Sequence, residues 1–153
     1  QTTRTMVLLE NTAGQGTTLG ADFEELAGIM AASKHMARLG VCLDTAHAHA
    51  AGYGLATPED YEATIARVGA LVGLERLSVF HVNDTAVPRG SRKDRHEHIG
   101  KGAIGTAGFS LLVNDPRFAD RPMILETHKE EDLSEDRANL AALRALVRAS
   151  AGS

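Results

Sequence analysis

The sequence holds one cysteine, no tryptophan and only 4% aromatic residues. The lone Cys42 excludes an internal disulfide framework and fits a reducing, cytoplasmic compartment. So few aromatics leave no platform for stacking the bases of a single strand. No apolar run approaches the ~20 residues that a membrane span requires, so no membrane partner is expected. An excess of positive charge is missing too. Sixteen Lys and Arg against 20 Asp and Glu give a net charge of −4, which argues against a uniformly basic nucleic-acid glove. A nucleic-acid enzyme stays open, because carboxylates that hold divalent cations make a chain look acidic until the metals are counted. Gly14, Gly16 and Gly20 lack the Lys-Ser/Thr of a phosphate-binding P-loop and read as turn glycines. Finally, Gln1-Thr2-Thr3-Arg4-Thr5 offers neither an initiator Met nor an apolar leader, and the chain reads as cut from a longer polypeptide.

With 43% hydrophobic residues, 153 residues suffice for one ordinary core. Four short apolar runs have the character of buried parallel strands: Thr5–Glu10, Leu39–Asp44, Leu77–Val82 and Pro122–Glu126. Helical segments separate them. Phe23, Leu26 and Met30 share one face of the first. Thr57 and Pro58 form an N-cap and first helical position, and that helix runs through Tyr61, Ile65, Val68 and Leu71 to Gly73. A shorter helix is predicted over Thr106 to Val113. The last covers Leu133 to Ala149, with Leu140, Leu143, Leu146 and Val147 inward. Strand–helix alternation repeated four times means an α/β fold with a parallel sheet. Four units are half of a (β/α)8 TIM barrel, which needs roughly 250 residues. Residues 1–153 therefore read as half of a single barrel domain. Val7, Leu9, Val41, Leu43, Val79 and Ile124 would face inward, and an apolar seam would await the other half or a second copy.

Each apolar run ends on a metal-type ligand: Glu10, Asp44, His81 and Glu126. The carboxyl ends of barrel strands are where active sites form. His47 follows in the loop after Asp44, and Asp94 and His96 lie in the long loop after the third strand. Carboxylates converging on one rim would repel one another, and divalent cations are the natural compensation. Imidazole mixed with carboxylate, without a thiolate cluster, suits Zn²⁺ or Mn²⁺. More than one metal, with bridging carboxylates, is the arrangement used for phosphoester hydrolysis. Any one of these residues could instead be a salt-bridged or surface group; for His47 the two readings weigh equally. The run Gly90–His98 could be a solvated charged loop.

In their order and spacing, Glu10-Asn11-Thr12-Ala13-Gly14-Gln15-Gly16, Gly40–His47, His81-Val82-Asn83-Asp84, Gly90–His96 and Leu125-Glu126-Thr127 resemble the endonuclease IV family of abasic-site endonucleases. The resemblance covers nearly the whole chain and corresponds to the family's C-terminal half. It implies a (β/α)8 barrel with three zinc ions that cleaves double-stranded DNA 5′ to abasic sites and processes blocked 3′ ends. Carried over, Glu10 bridges two zincs and completes the second site with Asp44, His81 and Glu126, while His47, Asp94 and His96 hold the third. About two sites would thus be complete here. Glu10 and Glu126 would be catalytic, Glu126 orienting or deprotonating the attacking water, and Arg95 would lie near the phosphate. The chain departs from the family at Ala46, usually Cys or Ser, and at Thr85-Ala86, where a lysine is common. The family's early strands supply two further histidine ligands and most DNA-contacting loops. This chain contains neither, so by itself it is expected to be inactive.

Other residues carry less. His35 reads as a surface group near a helix end. His49 reads equally as a support for the metal ligands or as solvent-facing. His98 and His128 fit no ligand register, and Cys42 reads as buried and inert. Two alternatives remain: a metal-dependent sugar isomerase or epimerase of the same barrel superfamily, and a catalytically incomplete metal-binding barrel fragment.

Overall fold

The computed structural model describes residues 5–148. In chain order its elements are β1 (Val7–Glu10), α1 (Phe23–Ala32), β2 (Leu39–Asp44), α2 (Thr45–Ala51), α3 (Pro58–Leu71), β3 (Leu77–His81), β4 (Asp84–Thr85), β5 (His96–Glu97), α4 (Gly105–Val113), β6 (Met123–Ile124) and α5 (Ser134–Leu146). The strands β1, β2, β3 and β6 pair side by side in that order, all parallel. An antiparallel ribbon of β4 and β5 stands apart from this sheet. No helix among the described residues is long and apolar enough to cross a membrane.

The helices form where the local signals place them. Thr57 caps α3 by accepting the Asp60 N–H, with Pro58 in the first turn, and Tyr61, Ile65 and Val68 are buried on its inner face. Phe23, Leu26 and Met30 are likewise the buried face of α1. The α3 helix ends at Leu71, two residues early, because Gly73 turns to a φ of 91°. In α5 the inward set is smaller than expected. Leu143 is buried, but Leu140 and Val147 are exposed. Ala149 lies outside the described residues.

The expected inner face needs a larger correction. Successive strand residues point to opposite sides of a sheet. Leu9, Val41 and Leu43 pack with Leu77, Phe80, Met123 and Leu125 into the core beneath the helices. The other face therefore carries Cys42 opposite Val79 and His81 opposite Ile124. A bulge after Leu77, where the pairing register shifts, sets this parity in β3. Val7 shares the side of Leu9, although it is half exposed at the start of β1. Glu10, Asp44, His81 and Glu126 fall by parity on the face away from the helices, at the carboxyl end of the sheet.

Two local results differ from expectation. The segment after β2 is α2, a helix rich in alanine, a strong helix former. And β6 is only two residues long, against the five expected, because Pro122 has no N–H to give and pairing with β3 ends at His81. Glu126 thus sits two residues beyond its strand.

Candidate metal centre

Three strand ends deliver the first donors. Glu10 closes β1, Asp44 closes β2 and His81 closes β3. Asp44 is also the N-cap of α2: its Oδ1 accepts the His47 N–H at 2.8 Å. That capping bond satisfies an orphan amide at the helix start and points the His47 ring back over the sheet end. His96 arrives on the ribbon, where it pairs with Thr85.

Donor atoms gather in two groups that share one residue. Glu10, Asp44, His81 and Glu126 offer atoms within 4.8 Å of one another, and so do Asp44, His47 and His96. In the first group His81 Nδ1 lies 3.0 Å from Glu10 Oε1 and 3.0 Å from Glu126 Oε2. In the second, His47 Nε2 and His96 Nε2 are 3.4 Å apart, with the Asp94 carboxylate 3.3 Å from each. Asp44 Oδ2 stands 3.7 Å from His96 Nε2. Ligands held about 2.0–2.2 Å from a tetrahedral zinc lie roughly 3.3–3.6 Å apart, so both groups have the right scale. Asp44 belongs to both, whereas the sequence reading kept the two sets separate.

The histidine rings are oriented for this. His47 Nδ1 meets the Asn11 carbonyl at 3.0 Å, and His96 Nδ1 meets the Glu126 carbonyl at 3.1 Å. A ring whose Nδ1–H is given to a carbonyl keeps Nε2 as a lone-pair donor, the usual state of a metal-ligating histidine.

Electrostatics point the same way. The His47 hydrogen bond, reinforced by His81, outweighs burial and holds the Glu10 carboxyl below the usual range. Burial opposes a charged His47, but Glu10, Asp44 and Asp94 raise its pKa to about 9. Burial drives Asp44 upward, since it is wholly enclosed. The field that stabilises a proton on His47 would stabilise a metal cation for the same reason. The donor set therefore fits divalent metal.

Residues the sequence reading did not single out hold this arrangement together. Asn11, buried, accepts the Asp44 N–H at 2.7 Å and donates to its carbonyl at 3.1 Å. Asn83, also buried, donates to Asp44 Oδ2 and accepts the Glu126 N–H, each at 2.7 Å. Gln15 Oε1 accepts the Asp94 N–H. Asp84 accepts backbone N–H groups of Thr85, Gly100, Gly102, Ile104 and Gly105, pinning the loop after β5. A side chain on Gly102 would collide with the Asp84 carboxylate and the Thr85 carbonyl. The available signal was position: Asn11 and Asn83 follow ligands by one and two residues.

Other candidates fall as follows. Arg95 is exposed, and its guanidinium turns back to the Asp94 carbonyl. Thr85 is buried and donates to the Arg95 carbonyl, giving its place in the motif a packing role. His49 is buried in α2 with an unpartnered Nδ1, so the solvent-facing reading fails. His35 is exposed in the turn after α1. His98 Nδ1 contacts the Asn139 amide, and His128 is exposed beside Glu130. Burial and the Glu10 charge lift the Cys42 thiol to about 12, which leaves it unreactive.

Residues 1–148 match the family described as xylose isomerase-like TIM barrel. A protein called probable endonuclease 4 from Chloroflexus aggregans is 59% identical over 147 residues, covering 96% of this chain and 51% of that protein. One of the same description from Nitratidesulfovibrio vulgaris is 57% identical over 143 residues, covering 94% and 51%. Endonuclease IV from Thermus thermophilus superposes with a TM-score of 0.81 at 45% identity, over 92% of this chain and 49% of that one. The chain spans about half the length of the relatives it matches. Its parallel βα units and the match along its length agree: the chain belongs to the xylose isomerase-like TIM barrel family.

Proposed function

We propose that this chain is the C-terminal, metal-binding half of a barrel enzyme that hydrolyses double-stranded DNA 5′ to abasic sites and trims blocked 3′ ends. The observation that carries the reading is the convergence of Glu10, Asp44, His47, His81, Asp94, His96 and Glu126 on one rim, in two donor groups joined through Asp44. Relatives called probable endonuclease 4, at 57–59% identity, support the same reaction class. Divalent metals bound there, zinc being the choice for this donor set, supply Lewis acidity for phosphoester hydrolysis. Glu10 offers its oxygen to the first group beside His81, and the same oxygen lies 3.5 Å from His47 Nδ1. Glu126, whose side chain is 44% exposed, is the most open carboxylate of the first group and receives the proton as water adds to phosphorus. The strand's 3′-oxygen leaves and is protonated to a hydroxyl. Arg92, Lys93 and Arg95, exposed beside the rim, attract phosphate. The uncovered sheet face is completed by a preceding barrel half or by a second copy.

The test is cleavage of a duplex bearing one abasic site, with zinc content measured by elemental analysis. About two zincs per chain, and incision that depends on Glu126 once the barrel is complete, are the expected results. Zinc below half an equivalent, or aldose–ketose exchange without DNA incision, would refute the reading.

A further inference from the structure

The rim poses a positional problem that the sheet alone does not solve. Pairing between β3 and β6 ends with the Val82 N–H donated to the Ile124 carbonyl. Glu126 lies beyond that ladder, yet its carboxylate must meet His81 on β3 and Asp44 on β2. The bond that carries the ladder onward comes from a side chain: Asn83 Oδ1 accepts the Glu126 N–H at 2.7 Å. The other end of the same amide donates to Asp44 Oδ2 at 2.7 Å.

The amide can take only this orientation, because a backbone N–H only donates and a carboxylate accepts. Its own backbone is clamped as well. Thr45 Oγ1 donates to the Asn83 carbonyl at 2.6 Å and accepts the Asn83 N–H at 2.9 Å. Asn83 is completely buried, so both bonds are made away from water, where an unmade one is costly. Asp44 belongs to both donor groups and Glu126 to one, so one rigid amide links the shared ligand to the ligand that β6 is too short to hold.

We propose that Asn83 is a positioning residue for the metal centre: through Asp44 and Glu126 it sets the ligand spacing without itself touching metal or DNA. The inference rests on the metal-centre reading above. Its test uses cobalt(II), whose visible absorption reports ligand number and geometry, on the purified protein and on Asn83→Asp and Asn83→Ala. The Asp variant keeps an oxygen for the Glu126 N–H but faces Asp44 with an acceptor; the Ala variant loses both arms. Cobalt affinity should fall about 10- to 100-fold, the usual loss for a group that orients ligands, with an altered absorption band and an unchanged metal-free circular dichroism spectrum. Unaltered affinity and band shape in both variants would overturn the inference while leaving the metal reading intact. Loss of the folded spectrum in both metal-free variants would also overturn it, since Asn83 would then act on folding and not on ligand spacing. No cobalt binding by the unaltered protein would overturn the metal reading and this inference together.

Discussion

Replacing Asp84 by Asn probes how the ribbon that delivers His96 is held. Asp84 is fully buried. Its Oδ1 accepts from Thr85 and Ile104, at 2.9 and 3.0 Å. Its Oδ2 accepts from Gly100 and Gly102, both at 3.0 Å, and from Gly105 at 3.2 Å. Every partner is a donor, so a carboxylate is the right group. An asparagine keeps the shape but one oxygen only. Whichever way it turns, its NH₂ confronts at least two backbone N–H groups whose acceptor in the structure is Asp84. Each buried N–H left unpaired costs about 1–3 kcal/mol, so Asp84→Asn should cost roughly 2–6 kcal/mol. That is a large part of the 5–15 kcal/mol typical of a whole domain. Urea unfolding measures the total, and amide exchange at Gly100, Gly102 and Ile104 localises it. Because Thr85 pairs with His96, the same change should weaken cobalt binding through the His47–His96 group. A loss below about 1 kcal/mol, with those three amides still protected, would refute this account of Asp84.

Three further outcomes are expected. Tyr61→Phe removes a buried hydroxyl that donates to Asp115 Oδ2 at 2.8 Å and should cost about 1–2 kcal/mol. Burial and that bond raise the Tyr61 phenol far above its usual range, so its contribution is complete below the unfolded pKa of about 10 and lost as pH rises above it. The Phe variant should lack that alkaline decline in urea midpoints between pH 8 and pH 11 or so; an identical slope would contradict the reasoning. His47→Ala should lower zinc content from about two equivalents to about one, since Glu10, His81 and Glu126 keep their own group; unchanged content would remove His47 from the ligand set. Arg92→Ala and Arg95→Ala should each reduce the slope of log DNA affinity against log salt by about one, and an unaltered slope would show that the side chain reaches no phosphate.

The candidate ligands were legible because chemistry and period coincided. A buried parallel strand demands apolar residues, so a Glu, Asp or His closing such a run stands out against it. Glu10, Asp44 and His81 sit at their strand ends as that logic expects. Glu126 was identified by the same pattern, although its strand stops two residues earlier. The α2 helix was not legible, since a seven-residue segment is too short to display a helical period. Its N-cap is Asp44, so one carboxylate both starts the helix and offers oxygen at the rim, and the second role masks the first in the sequence. The supporting amides escaped for another reason. Asn11 and Asn83 carry no local signal beyond their places one and two residues after candidate ligands, and their partners lie 33 and 43 residues away.

By itself the sequence determined the βα rhythm, the helix starts and the kinds of side chain at the rim, because each depends on local propensity and on which residues tolerate burial. Only the tertiary structure decided which strand face looks away from the helices, since the register shift at Val41/Cys42 reverses side-chain parity in β3 without altering composition. It also decided that Asp44 serves both donor groups and that Glu126 is placed by a side-chain amide. Those relations are distances between residues far apart in the chain, and no local preference encodes a distance.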